Sequence, residues 1–160
     1  MVRLLFVCLG NICRSPTAEG VMGKIILDRG WESRVHIDSA GTGDYHVGEL
    51  ADLRARRAAK RRGIDLVHRA RQVAASDFER FDYLLAMDGS NLKNLERRAP
   101  GGARARLLLL RSFDQSAPHG AEVPDPYDGD DDDFEDVLDI CERACHGLAA
   151  HIAREHLGSE

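Results

Sequence analysis

A chain of 160 residues, 43% hydrophobic and 31% charged with five prolines, has the size and composition of one folded domain, expected to span residues 1–160. No stretch approaches the roughly 18–20 apolar residues of a membrane span, which excludes a channel, and the composition excludes collagen-like and disordered chains. A net charge of −5 argues against general nucleic-acid binding.

The expected elements alternate along the chain. Val2 to Val7 reads as a short buried strand, followed by a glycine-containing turn and a helix over Pro16 to Asp28, with Pro16 in a first turn that tolerates a missing N–H. A second strand is expected at Val35 to Asp38 and a helix over Leu50 to Arg62, stopped by Gly63. Phe81 to Met87 reads as a third strand, Asn91 to Arg98 as a helix ended by Pro100, Ala105 to Leu110 as a fourth strand and Phe134 to His156 as a long final helix. Strands separated by helices imply βαβ units. The expected fold is therefore α/β: a three-layer sandwich with a four-stranded parallel sheet flanked by helices and a phosphate loop after the first strand.

Between Arg111 and Gly129 lies the one long irregular stretch, with Pro118, Pro124 and Pro126 in it, long enough to be a functional loop. Charge is unevenly spread. Arg54, Arg56, Arg57, Lys60, Arg61 and Arg62 crowd one expected helix, read as a solvated face, while Asp128 to Asp133, with Glu135 and Asp136, form an acidic run at the start of the last helix.

In parallel sheets the ligand crevice lies at the C-terminal ends of the strands, where the first strand delivers Cys8-Leu9-Gly10-Asn11-Ile12-Cys13-Arg14-Ser15. A cysteine, five residues, then an arginine and a hydroxyl at a strand-to-helix turn is the spacing that wraps backbone N–H groups around a tetrahedral oxyanion. Cys8 would be the nucleophile, since converging amides, the helix dipole and Arg14 favour its thiolate. Arg14 offers a planar fork for two phosphate oxygens, Gly10 and Asn11 are suited to left-handed backbone angles, and Ser15 can donate to the sulfur.

The segment Leu5-Phe6-Val7-Cys8-Leu9-Gly10-Asn11-Ile12-Cys13-Arg14-Ser15-Pro16 closely resembles the phosphate loop of the low-molecular-weight protein tyrosine phosphatases. Further landmarks follow in order: Asp38-Ser39-Ala40-Gly41-Thr42, His68 with Ala70-Arg71-Gln72, Met87-Asp88 and Asp125-Pro126-Tyr127. The resemblance implies a phosphatase that attacks phosphotyrosine through Cys8, with Asp125 protonating the phenolate and then activating water. It also implies that Asn11, Ser15, Ser39 and His68 form a polar network bracing the loop, with Glu19 and Asp38 placed to partner His68. Tyr45 and Tyr127 would wall a deep slot for a flat ring. Related arginine phosphatases carry a smaller hydroxyl residue at the loop position of Ile12, so Ile12 favours phosphotyrosine.

Cys13 has two readings, a small packing residue or a redox partner of Cys8. Cys141 and Cys145 share a helix face with spacing reminiscent of metal ligands, but that face is read as packing against the sheet, and the acidic run lacks the alternation of a calcium loop. No metal and no cofactor are called for. An arsenate reductase using the same loop would need relay cysteines after the third strand, and residues 69–100 contain none. A binding-only module would not require both Cys8 and Asp125. The expected partners are phosphotyrosine proteins, with inorganic phosphate and related oxyanions as product or inhibitors, no nucleic acid and no membrane insertion. The protein is expected to be a monomer or weak homodimer. The first residues lack a secretory pattern and the four cysteines read as reduced thiols, which points to the cytoplasm.

Overall fold

The structure is a computed structural model that describes residues 1–158. Four strands, β1 (Val2–Cys8), β2 (Val35–Gly41), β3 (Tyr83–Ala86) and β4 (Arg106–Leu109), form one sheet in the order β2-β1-β3-β4, parallel throughout. The alternation of β1 divides the core. Leu4, Phe6 and Cys8 point to one face and Leu5 and Val7 to the other, each side chain essentially buried, as befits a strand covered on both sides.

Helices α1 (Arg14–Arg29) and α5 (Asp131–His156) cover the first face through Met22, Ile25, Leu138 and Leu148, and Cys141 and Cys145 are buried in the same layer. The other face is covered by α3 (Asp77–Arg80) and α4 (Gly89–Arg98) through Phe78 and Leu95. Because the chain leaves β1 toward one face and β3 toward the other, the strand order reverses between them. The crevice at that reversal opens at Cys8 and at Asp88, just beyond β3, and it is there that parallel sheets hold ligands.

Helix α2 (Leu53–Lys60) is shorter than the basic run implies, because Asp52 caps it by accepting the Arg54 N–H at 2.8 Å. Two short elements escaped the sequence reading: the four-residue α3, and a 3₁₀ turn at Leu110–Phe113 that opens the long loop. The last helix starts three residues earlier than Phe134. Asp130 and Asp133 form a reciprocal capping box there, and Asp131, Asp132 and Asp133 occupy the positive first turn.

The basic helix is not a simple solvated face. Arg62 stands 2.7 Å from Glu135, 2.9 Å from Asp139 and 3.2 Å from Glu142, and Arg61 stands 2.8 Å from Glu135, so the end of α2 is tied to α5 by ion pairs. Hydrogen bonds from Arg61, and further ones from Arg62, hold the Glu135 carboxyl below its ordinary range against the opposing effect of burial. The two charge runs that look self-repelling in sequence thus neutralise each other in part. Among the described residues no helix is long and apolar enough to cross a membrane.

Candidate active site

The chain leaves β1 at Cys8 and folds back through Leu9 to Cys13 before α1 begins. Two backbone bonds seat this loop on the segment after β2: Thr42 N–H donates to the Cys8 carbonyl at 2.8 Å and Gly43 N–H to the Leu9 carbonyl at 2.9 Å. Asn11 takes φ +57°, the one left-handed non-glycine residue described, and turns its N–H onto the Cys8 sulfur at 3.2 Å. Ser15 Oγ lies 3.0 Å from the same sulfur.

The Asn11 side chain explains how that conformation is held. Its amide donates to Ser15 Oγ at 2.7 Å and Ser39 Oγ at 3.0 Å, while its carbonyl oxygen accepts the Arg71 N–H at 3.0 Å and His68 Nε2 at 2.9 Å. With Ser15 Oγ accepting from the Asn11 amide, its single proton has two acceptors within reach, the Cys8 sulfur at 3.0 Å and the Ala40 carbonyl at 3.5 Å. The Ser39 hydroxyl in turn donates to Glu19 at 2.5 Å. His68 Nδ1 stands 3.5 Å from Glu19 and 3.4 Å from Asp38. Burial raises the Glu19 pKa, against the Ser39 hydrogen bond and the His68 charge.

Glu19, Asp38 and His68 bring one ligand atom each within 4.8 Å of one another, close enough to consider a metal. Their polar atoms already have protein partners, however. Ser39 donates to Glu19, and the Arg71 guanidinium reaches Asp38 at 3.1 Å and the fully buried Asp77 at 2.9 Å. The trio is therefore one end of a charge chain that runs from Asp77 through Arg71 to the Asn11 network.

Arg14, in the first turn of α1, is 3% exposed, and its guanidinium donates to Asp88 at 2.7 Å and to the Val123 carbonyl at 3.1 Å. Its other terminal nitrogen lies 3.7 Å from the Asp125 carboxylate. Burial alone would lower the Arg14 pKa, but Cys8, Asp88 and Asp125 outweigh it and push it up. Asp125 is half exposed and its carboxylate accepts the Tyr127 N–H at 3.1 Å, an Asx turn that orients the loop tip.

These groups surround one cavity of about 190 Å³. Cys8, Leu9, Gly10, Ile12, Cys13 and Arg14 line it from the phosphate loop, and Tyr45, His46, Asp125 and Tyr127 from the loops around it. The N-cap residue of α1, Cys13, makes no capping bond with its side chain, so the helix N-terminus keeps its positive end for the cavity. Burial, then the charges of Asp52, Cys8 and Asp125, push the Cys13 thiol up to about 12. An anion seated in the cavity would meet the sulfur from one side and the Arg14 guanidinium from another.

Several contributors were not singled out as functional in the sequence reading. Asp88, which fixes Arg14, was signalled by its place at the C-terminal end of β3, next to β1. His46 stands over Gly10, beside Tyr127 with ring centroids 6.3 Å apart, and its Nδ1 is 2.6 Å from Glu49. Arg71 stood among the family landmarks but without an assigned role, and Asp77, which it pairs with, carried no signal.

A cysteine sulfur under inward-facing donors, with a buried arginine and a carboxylate at the rim of one parallel-sheet crevice, defines an oxyanion site of the phosphoryl-transfer type. The family described as low molecular weight phosphotyrosine protein phosphatase matches residues 3–157, and the chain belongs to it. The Homo sapiens protein of that description is 44% identical over 147 residues, covering 91% of this chain and 92% of the relative. A protein tyrosine phosphatase from Entamoeba histolytica superposes with a TM-score of 0.92 at 42% identity, over 96% of this chain and 98% of that one. A Drosophila arginine phosphatase is also similar, with a TM-score of 0.87 at 31% identity over 92% of this chain and 96% of that one.

Proposed function

We propose that this chain hydrolyses phosphotyrosine in proteins, and small aryl phosphates, through a phosphocysteine intermediate. The observation that carries the reading is the convergence of Cys8, Arg14 and Asp125 on one cavity whose mouth is walled by Tyr45 and Tyr127. In the first step the Cys8 sulfur attacks phosphorus, the S–P bond forms, and the P–O bond to the phenol breaks as Asp125 gives its proton to the leaving oxygen. Arg14 and the loop N–H groups hold the equatorial oxygens, where charge accumulates. In the second step water attacks phosphorus, Asp125 takes its proton, and the S–P bond breaks to release phosphate. The departing sulfur is received by the Asn11 N–H and the Ser15 hydroxyl.

Asn11, Ser15, Ser39, His68, Glu19 and Asp38 serve as the brace that keeps those donors aimed. Ile12, in the cavity lining, favours phosphotyrosine over phosphoarginine. The test is hydrolysis of an aryl phosphate with chelator present, comparing wild type with Cys8→Ser and Asp125→Ala. Activity that survives the chelator, disappears in Cys8→Ser and falls steeply in Asp125→Ala is expected. Faster turnover of phosphoarginine than of phosphotyrosine would reverse the substrate assignment.

We place the protein in the cytoplasm as a monomer or weak homodimer, with inorganic phosphate and related oxyanions competing at the site. Cys13 is proposed as the redox partner: peroxide oxidises the Cys8 thiolate to a sulfenic acid, and Cys13 condenses with it to a disulfide with loss of water. Peroxide inactivation that a thiol reductant reverses in wild type but not in Cys13→Ser is expected. Equal irreversible loss in both would remove that role.

A further inference from the structure

The loop that carries Asp125 has little of its own to hold it. Pro124, Asp125, Pro126 and Tyr127 form no strand or helix, Asp125 and Tyr127 are about half exposed, and the local turn is closed by a Gly129 N–H to Pro126 carbonyl bond of 2.9 Å. Upstream of Asp125 the loop is pinned at Val123. Its N–H donates to the Met87 carbonyl at 2.8 Å and its carbonyl accepts from Arg14.

Downstream, the pin is a single side chain from a different part of the fold. The guanidinium of Arg54, in the first turn of α2, donates to the Tyr127 carbonyl at 2.9 Å and to the Gly129 carbonyl at 3.1 Å. It lies over the rings of Phe134, 4.5 Å from the centroid, and Tyr127, at 5.8 Å. Its remaining edge is fixed by Asp52, which accepts at 3.1 and 3.0 Å. Asp52 in turn donates its backbone N–H to the carbonyl of Ile12, inside the phosphate loop, at 2.8 Å. One arginine therefore spans from the loop that holds the sulfur to the loop that holds the acid.

We propose that Arg54 is a positioning residue for the Asp125 proton transfer. Building on the reading of Asp125 as general acid, Arg54 sets the distance between the two loops, so that the carboxyl meets the leaving oxygen of an ester bound over Cys8. A lysine could not substitute. Its three N–H donors radiate from one nitrogen and do not reproduce the spread of Nε, Nη1 and Nη2 over Asp52 and two carbonyls, and it lacks the flat face that rests on Phe134.

Leaving groups separate this role from general support of the fold. Phenyl phosphate expels an oxygen whose conjugate acid has a pKa of about 10 and depends on protonation, whereas dinitrophenyl phosphate expels an acidic phenolate that does not. Arg54→Ala is expected to lower kcat/KM on phenyl phosphate by about tenfold or more and on dinitrophenyl phosphate by less than about threefold. The ratio of the two is independent of how much of the sample is folded, so a partly folded variant still reports. Arg54→Lys is expected to shift the ratio in the same direction. In an Asp125→Ala background, Arg54→Ala should shift it no further.

Equal losses on both substrates, wild-type ratios in Arg54→Ala and Arg54→Lys, or an additional ratio shift without Asp125 would each overturn the proposal. Asp125→Ala alone distinguishes the two levels of the argument. If it leaves the ratio unchanged, Asp125 is not the acid and the role of Arg54 falls with it. If it shifts the ratio while the Arg54 variants do not, only the positioning role falls.

Discussion

The phosphate loop and the acid loop face each other across one cavity, yet they are built by opposite means. Asn11, Arg14 and Ser15 are 1%, 3% and 0% exposed, and the left-handed Asn11 is fixed by hydrogen bonds to its side chain from or to four other residues. The acid loop exposes Asp125 and Tyr127 to solvent while burying Val123 and Pro126, and it is tied down by Arg14 at Val123 and Arg54 at Tyr127 and Gly129. Under the proposed mechanism the difference follows from what each must do. An oxyanion cradle works only if its donors are already aimed when charge develops, so its geometry is set by buried bonds that resist reorganisation. A carboxyl that must meet leaving groups of different shape and exchange protons with water works from a half-exposed edge, provided its distance from the sulfur is fixed.

This contrast can be tested by asking where activity and stability separate. Asp125→Ala should lower kcat on an aryl phosphate by on the order of 10² to 10⁴-fold, with a urea midpoint close to wild type, because a half-exposed carboxylate leaves no buried group unsatisfied. Asn11→Ala should lower both. It strands Ser15, Ser39, His68 and the Arg71 N–H and puts alanine at φ +57°, a loss of about 2–4 kcal/mol measurable by urea unfolding. A stable, inactive Asn11→Ala protein would mean that the network serves chemistry alone and that the contrast is drawn wrongly.

Chemical labelling gives a subtler test. With its thiol pushed up to about 12 by burial and by the nearby charges of Asp52 and Cys8, Cys13 is protonated at neutral pH, as is Cys141, also raised to about 12 by burial. Iodoacetamide at pH 7 should modify Cys8 and spare Cys13, Cys141 and Cys145 in the folded protein, read by peptide mapping. Labelling of Cys13 at the rate of Cys8 would show a loop far more open than described.

The smallest expected effect lies at the other end of α2. The Glu135 pKa is lowered in the folded state, so its ion pairs contribute stability above the unfolded value of about 4.3 and lose it as pH falls through the folded value. The melting temperature of Glu135→Gln should therefore lie a few degrees below wild type at pH 6, with the gap closing toward pH 3, as thermal melts across that range would show. A gap independent of pH would trace the effect to packing instead.

Much of the fold was legible because its signals are local. The apolar run from Val2, the glycine after Arg62 and the pattern of the last helix are each contained within a few residues, and the phosphate loop is contiguous from Cys8 to Ser15. Boundaries slipped where a side chain decided them, as at Asp52, which delays α2, and Asp130, which starts α5 before its first apolar residue. The acid loop's anchors were not legible, since Arg14 reaches Val123 and Arg54 reaches Tyr127 through backbone carbonyls that any residue type would offer. Asp77 shows the same limit. It reads as an ordinary polar residue in a short segment, but folding buries it against Arg71, and nothing within its own neighbourhood announces that pairing.

The division of labour between the two loops is tested most directly by trapping the intermediate. Asp125→Ala mixed with dinitrophenyl phosphate, whose departure needs no acid, should form phosphocysteine faster than it can be hydrolysed without the base. Rapid quenching and peptide mapping should then find the phosphoryl group on Cys8, with none in Cys8→Ser. A burst of phenolate with no adduct on Cys8, or an adduct on another residue, would contradict the account.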